Sequence, residues 1–256
     1  MSKIKVLILR APGTNCDSET AFAFQQAGAV TPLVHVGELI RREKRLSDFQ
    51  IMVVPGGFTY GDDISAGKVL ANEIRLKLGE DIERFVKGGK LILGICNGFQ
   101  ALVKAGVLPG LSNNSSPPLT ISANDSGKFE CRWVYLWVNQ GGPCVFTKGI
   151  KYMYLPVAHG EGKVIVNPEF LPKLNVALYY TDEKGNTEAG YPYNPNGSVA
   201  NIADICDTSG RIFALMPHPE RYIRGTQHPQ WTRRGIQEYG DGFQIFVNAV
   251  KWAQQL

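Results

Sequence analysis

No two cysteines in this 256-residue chain are spaced as CxxC, and the cysteine count of five is odd. Cys16, Cys96, Cys131, Cys144 and Cys206 therefore suggest neither a disulfide framework nor a zinc site. No apolar run approaches the roughly 20 residues of a membrane span, and no signal-type apolar segment precedes the first strand pattern at Ile4–Leu9. Charge is nearly balanced, with 27 Lys and Arg against 23 Asp and Glu. That excess is too slight to argue for nucleic acid, and Arg41, Arg42, Lys44 and Arg45 read as a solvated face. Phosphate motifs are missing too. GDDISAGKV (Gly61–Val69) is one residue too long for a P-loop and has Val69 where Ser or Thr is needed, and no GxGxxG follows a strand. Together these absences leave a reduced, cytoplasmic protein, in which the N-x-S matches at Asn113, Asn114 and Asn196 carry no weight.

What is present is alternation of strand and helix. Lys5–Leu9, Leu33–Val36, Gln50–Val54 and Leu91–Leu93 are short apolar runs of the kind covered on both faces in parallel sheets. Asp17 or Ser18 can cap a helix ending at Gly28. Leu70, Ile74, Leu78, Ile82 and Phe85 recur at helical spacing and predict one long amphipathic helix stopped by Gly88-Gly89. The order predicts an α/β fold, a flavodoxin-like open and mostly parallel sheet with helices on both faces. Gly110–Gly127 reads as a long surface loop. Strands are expected at Phe129–Val138, Tyr152–Ala158, Val176–Thr181, Val199–Ile205 and Arg211–Met216, largely antiparallel additions. Trp133, Tyr135 and Trp137 on one face of the first of these predict sheet packing. Tyr222–Gly240 reads as loop, and a last helix over Asp241–Gln254 buries Phe243, Phe246, Val247, Val250 and Trp252. Residues 1–256 are taken as one domain.

Chemistry concentrates at KLILGICNGFQ, Lys90–Gln100. A strand runs into Gly94-Ile95-Cys96-Asn97-Gly98, where small residues let the chain turn sharply and present Cys96 at a helix N-terminus. A free buried thiol acting as a small hydrophobe fits the same residues. A cysteine nucleophile needs a base, and His218, at the end of an apolar strand, has the best setting of the four histidines. Glu220 lies two residues on and can hold one ring nitrogen if the segment is extended, a bias that Pro219 gives to His218. Acyl transfer needs oxyanion donors, and the N–H groups of Gly57 or Phe58, and of Asn97, are placed to supply them. Gln100, one turn after Cys96, can reach a substrate. Cys16, Cys131, Cys144 and Cys206 lack a His–Glu context and read as structural.

Together GICNGFQ, PGGFTYGD and MPHPER resemble the nucleophile, oxyanion and His–Glu motifs of the triad-type (class I) glutamine amidotransferases. PGTNCD, KFECRWV, LPVAHGEGK and DGFQIFVNAVKW extend the likeness from about Lys3 to the last helix, and point to members serving purine biosynthesis. The resemblance implies Cys96, His218 and Glu220 as catalytic triad, and Gly57 and Asn97 as oxyanion donors. It implies L-glutamine as substrate, bound by Gln100, Phe58, His159 and Glu161. It also implies ammonia transfer to a separate synthetase subunit that uses ATP and Mg, with a small third subunit in the complex. No cofactor, metal, nucleic acid or membrane is expected on this chain. Another cysteine hydrolase on a similar sheet, or a flavodoxin-like binding module with an inert Cys96, are the rival readings. Arg221, Arg224, Arg233 and Arg234 offer the C-terminal loop as a docking surface.

Overall fold

The computed structural model describes residues 3–110 and 118–256. Six strands form the main sheet in the order β10-β11-β4-β3-β1-β2. They are β1 (Val6–Arg10), β2 (Leu33–His35), β3 (Ile51–Val54), β4 (Leu91–Ile95), β10 (Asp204–Cys206) and β11 (Ile212–Leu215). All neighbours pair in parallel except β10, which runs antiparallel to β11. Every residue of β3, β4 and β11 is buried, because helices cover both faces and each strand is an unbroken apolar run. The parallel part has the flavodoxin-like order, so the loops after β1, β3, β4 and β11 gather at one edge.

Several boundaries differ from expectation. Helix α1 (Asp17–Gln26) has Cys16 at its N-cap and no side-chain cap. Asp17 instead pairs with Arg10 at 2.7 Å. Beyond β2, the sequence Val36–Ile40 forms a short helix, α2, capped by His35. The predicted long helix is two, α3 (Lys68–Lys77) and α4 (Gly79–Lys87). The break leaves Leu70, Ile74, Leu78, Ile82 and Phe85 all buried, so the apolar periodicity runs through it unchanged. Helix α5 (Asn97–Lys104) follows β4.

A second group of strands stands on the carboxyl side of the sheet. β6 (Glu130–Val138) lies between β7 (Tyr152–His159) and β9 (Leu178–Thr181), all antiparallel. β5 (Leu119–Ala123) pairs with β8 (Glu161–Val166). β5 falls within the segment expected to be loop, because Leu119 and Ile121 are its only buried apolar side chains. Residues 111–117 of that segment, with Asn113 and Asn114, lie outside the described residues. Asn196 is fully buried and donates to Gly162 O at 2.8 Å. The glycines of His159-Gly160-Glu161-Gly162 obscure β8 in the sequence, and Val199–Asn201 is a 3₁₀ turn rather than strand. The aromatic face packs as expected: Tyr154 sits 5.3 Å from Trp133 and 4.4 Å from Tyr135 between ring centroids, contacts worth about 1 kcal/mol each beyond area. The two groups of strands are joined at Asp204, whose buried carboxylate accepts from Ala177 N at 3.0 Å and Leu178 N at 2.7 Å. Tyr222–Gly240 is mostly loop but includes α6 (Trp231–Arg234). The final helix, α7 (Phe243–Ala253), buries Ile245, Phe246, Ala249, Val250 and Ala253, whereas Phe243, Val247 and Trp252 lie only half-buried. Among the described residues no helix is long and apolar enough to cross a membrane.

Candidate active site

Cys96 directly follows β4 and caps α5 with φ 50° and ψ −106°. A residue with a Cβ adopts that conformation at a cost of about 1–3 kcal/mol, so its surroundings must impose it. They do so from two sides. The Cys96 N–H extends the ladder to β11 through Leu215 O at 2.8 Å, and its carbonyl accepts from Phe99 N at 2.9 Å and Gln100 N at 3.2 Å. Two residues later, a Cβ on Gly98 would lie 1.8 Å from Val54 O. Only glycine lets α5 approach the end of β3 that closely. The thiol is thereby presented at the sheet edge, 3.6 Å from Ala158 O.

His218 follows β11 by three residues and is held by its N–H to Pro156 O at 2.8 Å. Its Nδ1 bonds Glu220 Oε1 at 2.6 Å, with both side chains buried. The contact is not made by an extended pair, because Pro219–Arg221 is a 3₁₀ turn. Burial by itself would lower the His218 pKa. The Glu220 carboxylate and the Cys96 sulfur outweigh it and hold His218 well above its ordinary value. Gly56 marks how closely the parts meet: a Cβ there would lie 2.9 Å from His218 Cε1, 3.1 Å from Cys16 Sγ and 3.5 Å from Cys96 Cβ.

That position also corrects the reading of Cys16 as a cysteine without a His–Glu context. Its Sγ, a His218 ring nitrogen and a Glu220 oxygen lie within 4.8 Å of one another. Both Cys16 and Cys96 thus stand at helix N-caps beside His218. They differ in backbone and partners. Cys16 has an unstrained backbone (φ −99°, ψ 14°). Its sulfur accepts from Arg221 Nη2 at 3.1 Å and contacts Asn15 Oδ1 at 3.2 Å, and burial raises its thiol pKa. A raised pKa disfavours thiolate. Cys16, His218 and Glu220 are also the one group among the described residues with donor atoms close enough for a metal ion. The His218–Glu220 bond already occupies Nδ1 and Oε1 there.

The other expected residues are distributed as follows. Phe58 N–H is bonded to Gly13 O at 3.0 Å, which leaves Gly57 of the two alternative donors on that loop. The Phe58 ring is exposed, 6.4 Å from that of Phe129. Gln100 is buried, accepting from Asn97 Nδ2 at 3.0 Å and donating to Glu161 O. The Glu161 carboxylate accepts from Ala66 N at 3.3 Å and stands 3.5 Å from Lys104 Nζ. His159 is buried with Nδ1 3.1 Å from Asn124 Oδ1, and its pKa is pushed down to about 3 by burial and by His218. Arg221 is drawn into the site, to Glu19 at 3.0 Å as well as Cys16, while Arg224 lies over the Phe22 ring. Sequence reasoning missed Cys16, Arg221 and Gly56, although PGTNCD and MPHPER contain the first two.

A cysteine strained at a strand–helix elbow, a buried His–Glu pair and a glycine-lined loop beside them, on a flavodoxin-like sheet, form a site of the glutamine-amidotransferase type. Residues 3–253 match the model of the CobB/CobQ-like glutamine amidotransferase domain, and the chain belongs to that family. Its relatives are more particular. It is 60% identical over its whole length, and over the whole of the relative, to phosphoribosylformylglycinamidine synthase subunit PurQ of Dehalococcoides mccartyi. It is 43% identical to the protein of that name from Archaeoglobus fulgidus, across 99% of this chain and 98% of the other. Among solved structures it is similar to a chain of PurLQS from Thermotoga maritima, with a TM-score of 0.74 and 32% identity over 98% of this chain and 99% of that one.

Proposed function

We propose that this chain is the glutaminase subunit of a phosphoribosylformylglycinamidine synthase, hydrolysing L-glutamine and handing ammonia to a synthetase subunit in purine biosynthesis. The observation that carries the chemistry is the buried His218–Glu220 bond at 2.6 Å beside the Cys96 elbow. Cys96 sulfur attacks the side-chain carboxamide carbon of glutamine, and its proton rests on His218, oriented by Glu220. The N–H groups of Gly57 and Asn97 receive the oxyanion. His218 gives its proton to the departing nitrogen, releasing ammonia and leaving a γ-glutamyl thioester. Water, deprotonated by His218, then adds to the thioester and releases glutamate and the free thiol.

Gln100, Phe58, His159 and Glu161 surround the glutamine. Because the Gln100 amide already joins Asn97 to Glu161, a direct bond from it to substrate exchanges one of those contacts. ATP and Mg are used by the synthetase subunit, and a small third subunit completes the assembly. The relatives' shared name and the Thermotoga maritima assembly support this arrangement. We read residues 1–256 as one glutaminase domain working in the cytoplasm, where its five free cysteines stay reduced. A non-catalytic module on the same sheet gives no reason for a strained cysteine beside a His–Glu pair. The test is Cys96→Ala in the reconstituted complex: glutamine-dependent synthesis is lost while ammonia-dependent synthesis continues. Normal use of glutamine by that variant sinks the assignment.

A further inference from the structure

We propose that the Asn97 side chain is a positioning residue that fastens the oxyanion loop to the nucleophile elbow, so that the Gly57 and Asn97 N–H groups are held at a fixed separation. The inference rests on the glutaminase reading above. A carboxamide has two acceptor lone pairs and two donor hydrogens, and here all four are occupied. Asn97 Oδ1 accepts from Thr59 N at 3.2 Å and from Thr59 Oγ1 at 2.6 Å. Asn97 Nδ2 donates to Asp62 Oδ1 at 2.9 Å and Gln100 Oε1 at 3.0 Å. Asn97 and Thr59 are buried, at 0% and 2% exposure, so water does not compete for the two bonds between them.

The two loop residues that Asn97 grips flank a backbone that does not hold its shape unaided. Between them Tyr60 (φ 55°) and Gly61 (φ 69°) are left-handed, and Asp62 itself has φ 54°. Left-handed residues with side chains cost about 1–3 kcal/mol each unless the surroundings fix them. Asn97 supplies that fixing from the first residue of α5, directly after Cys96. Burial raises the Asp62 pKa, and the Gly67 N–H and the Asn97 amide favour its charged form. One side chain therefore spans the loop after β3 and the elbow after β4, which carry the two donors. Neither donor position depends on the Asn97 amide for its own N–H. The amide acts through their spacing.

The experiment uses the complex with its synthetase subunit and compares Asn97→Ala, Thr59→Val and Thr59→Ser. Iodoacetamide alkylates Cys96 by displacing iodide, forming a sulfur–carbon bond without an oxyanion, so its rate reports the cysteine–histidine pair alone. Asn97→Ala is expected to lower kcat for glutamine hydrolysis by roughly 10²-fold, the scale of one lost oxyanion donor, with KM and the alkylation rate within about threefold. Thr59→Val is expected to lose about tenfold, and Thr59→Ser to recover most of it, as loss and return of one buried hydrogen bond predict. Unchanged kcat in Asn97→Ala overturns the inference alone. Parallel loss of alkylation and hydrolysis in Thr59→Val also overturns it, by making the contact merely structural. A wild-type complex that does not hydrolyse glutamine overturns this inference together with the proposed function.

Discussion

Arg221 donates from Nη2 to the Cys16 sulfur at 3.1 Å, placing a second thiol beside His218 and opposite Cys96. Two thiols at helix N-caps thus stand beside one imidazole, and their surroundings differ. Cys16 is held in neutral form by burial and occupied by Arg221, whereas Cys96 carries the strained elbow and the adjacent Asn97 N–H.

The two thiols should therefore separate experimentally. Cys16→Ser removes one weak contact, and its effect on glutamine hydrolysis is expected at about fivefold, the worth of about 1 kcal/mol. Cys96→Ser should leave no measurable hydrolysis. Of these two thiols, peptide mapping after limiting iodoacetamide should find the label on Cys96, with the exposed Cys131 as the unactivated reference. Label on Cys16, or full activity in Cys96→Ser, contradicts this ranking of the two thiols.

Stability should respond to pH in opposite senses at the two buried histidines. His159 titrates at about 3 in the fold, against about 6.5 unfolded. The unfolded chain therefore binds the extra proton as pH falls below 6.5, and stability is lost progressively down towards pH 3, by on the order of 5 kcal/mol. His218 is raised, so its contribution is fully present below about pH 6.5 and is lost as pH rises through its folded value. Thermal unfolding across pH 4–9 checks both: His159→Gln should flatten the acid limb and His218→Gln the alkaline one. An unaltered acid limb in His159→Gln refutes the first half.

Two glycines should fail for different reasons. Gly98→Ala places a methyl 1.8 Å from Val54 O, a backbone atom that cannot swing aside. It is expected to cost about 3 kcal/mol or more, as overpacking at a backbone contact does, visible as a lowered urea midpoint. Gly56→Ala meets the His218 ring at 2.9 Å and the Cys16 sulfur at 3.1 Å. Side chains yield more easily, so activity should fall further than stability does. Equal losses in both properties for both variants contradict this distinction.

Asp204 offers a prediction remote from the chemistry. Asp204→Ala strips the Ala177 and Leu178 N–H groups of their acceptor in a buried setting. About 2–6 kcal/mol should be lost at roughly 1–3 per unsatisfied donor. Burial already raises the pKa of this carboxyl well above the ordinary range, so Asp204→Asn, which keeps an acceptor oxygen, should cost less. Matching denaturation midpoints for the two variants would refute that difference.

What the sequence disclosed depended on whether local pattern sufficed. β1, β3, β4 and β11 are largely apolar runs, and a mostly parallel sheet follows from that pattern and from the intervening helices, whereas the place of β11 beside β4 comes only with the fold. Cys96 and His218 could be picked out because each closes such a run. The break at Leu78 is invisible in the sequence because the buried stripe stays in phase across it. β8 is hidden there because glycine at Gly160 and Gly162 signals a turn, while the strand is made by partners on β5. The contact of Cys16 with Arg221 joins residues from opposite ends of the chain, and no local spacing encodes it. Gln100, expected as a substrate contact, lies on the face of α5 that Asn97 begins, and its partners Asn97 and Glu161 O come only with the fold.

β11 lies beside β4 in the sheet although it is made more than a hundred residues later, and it brings His218 with it. On the proposed reading, a nascent chain that has finished β4 already carries its nucleophile, Cys96, but has no base to match it. Hydrolysis of glutamine is thereby deferred until the last parallel strand has emerged and slotted in. Chains cut short before β11 should therefore hold the thiol without its His–Glu pair and release no ammonia.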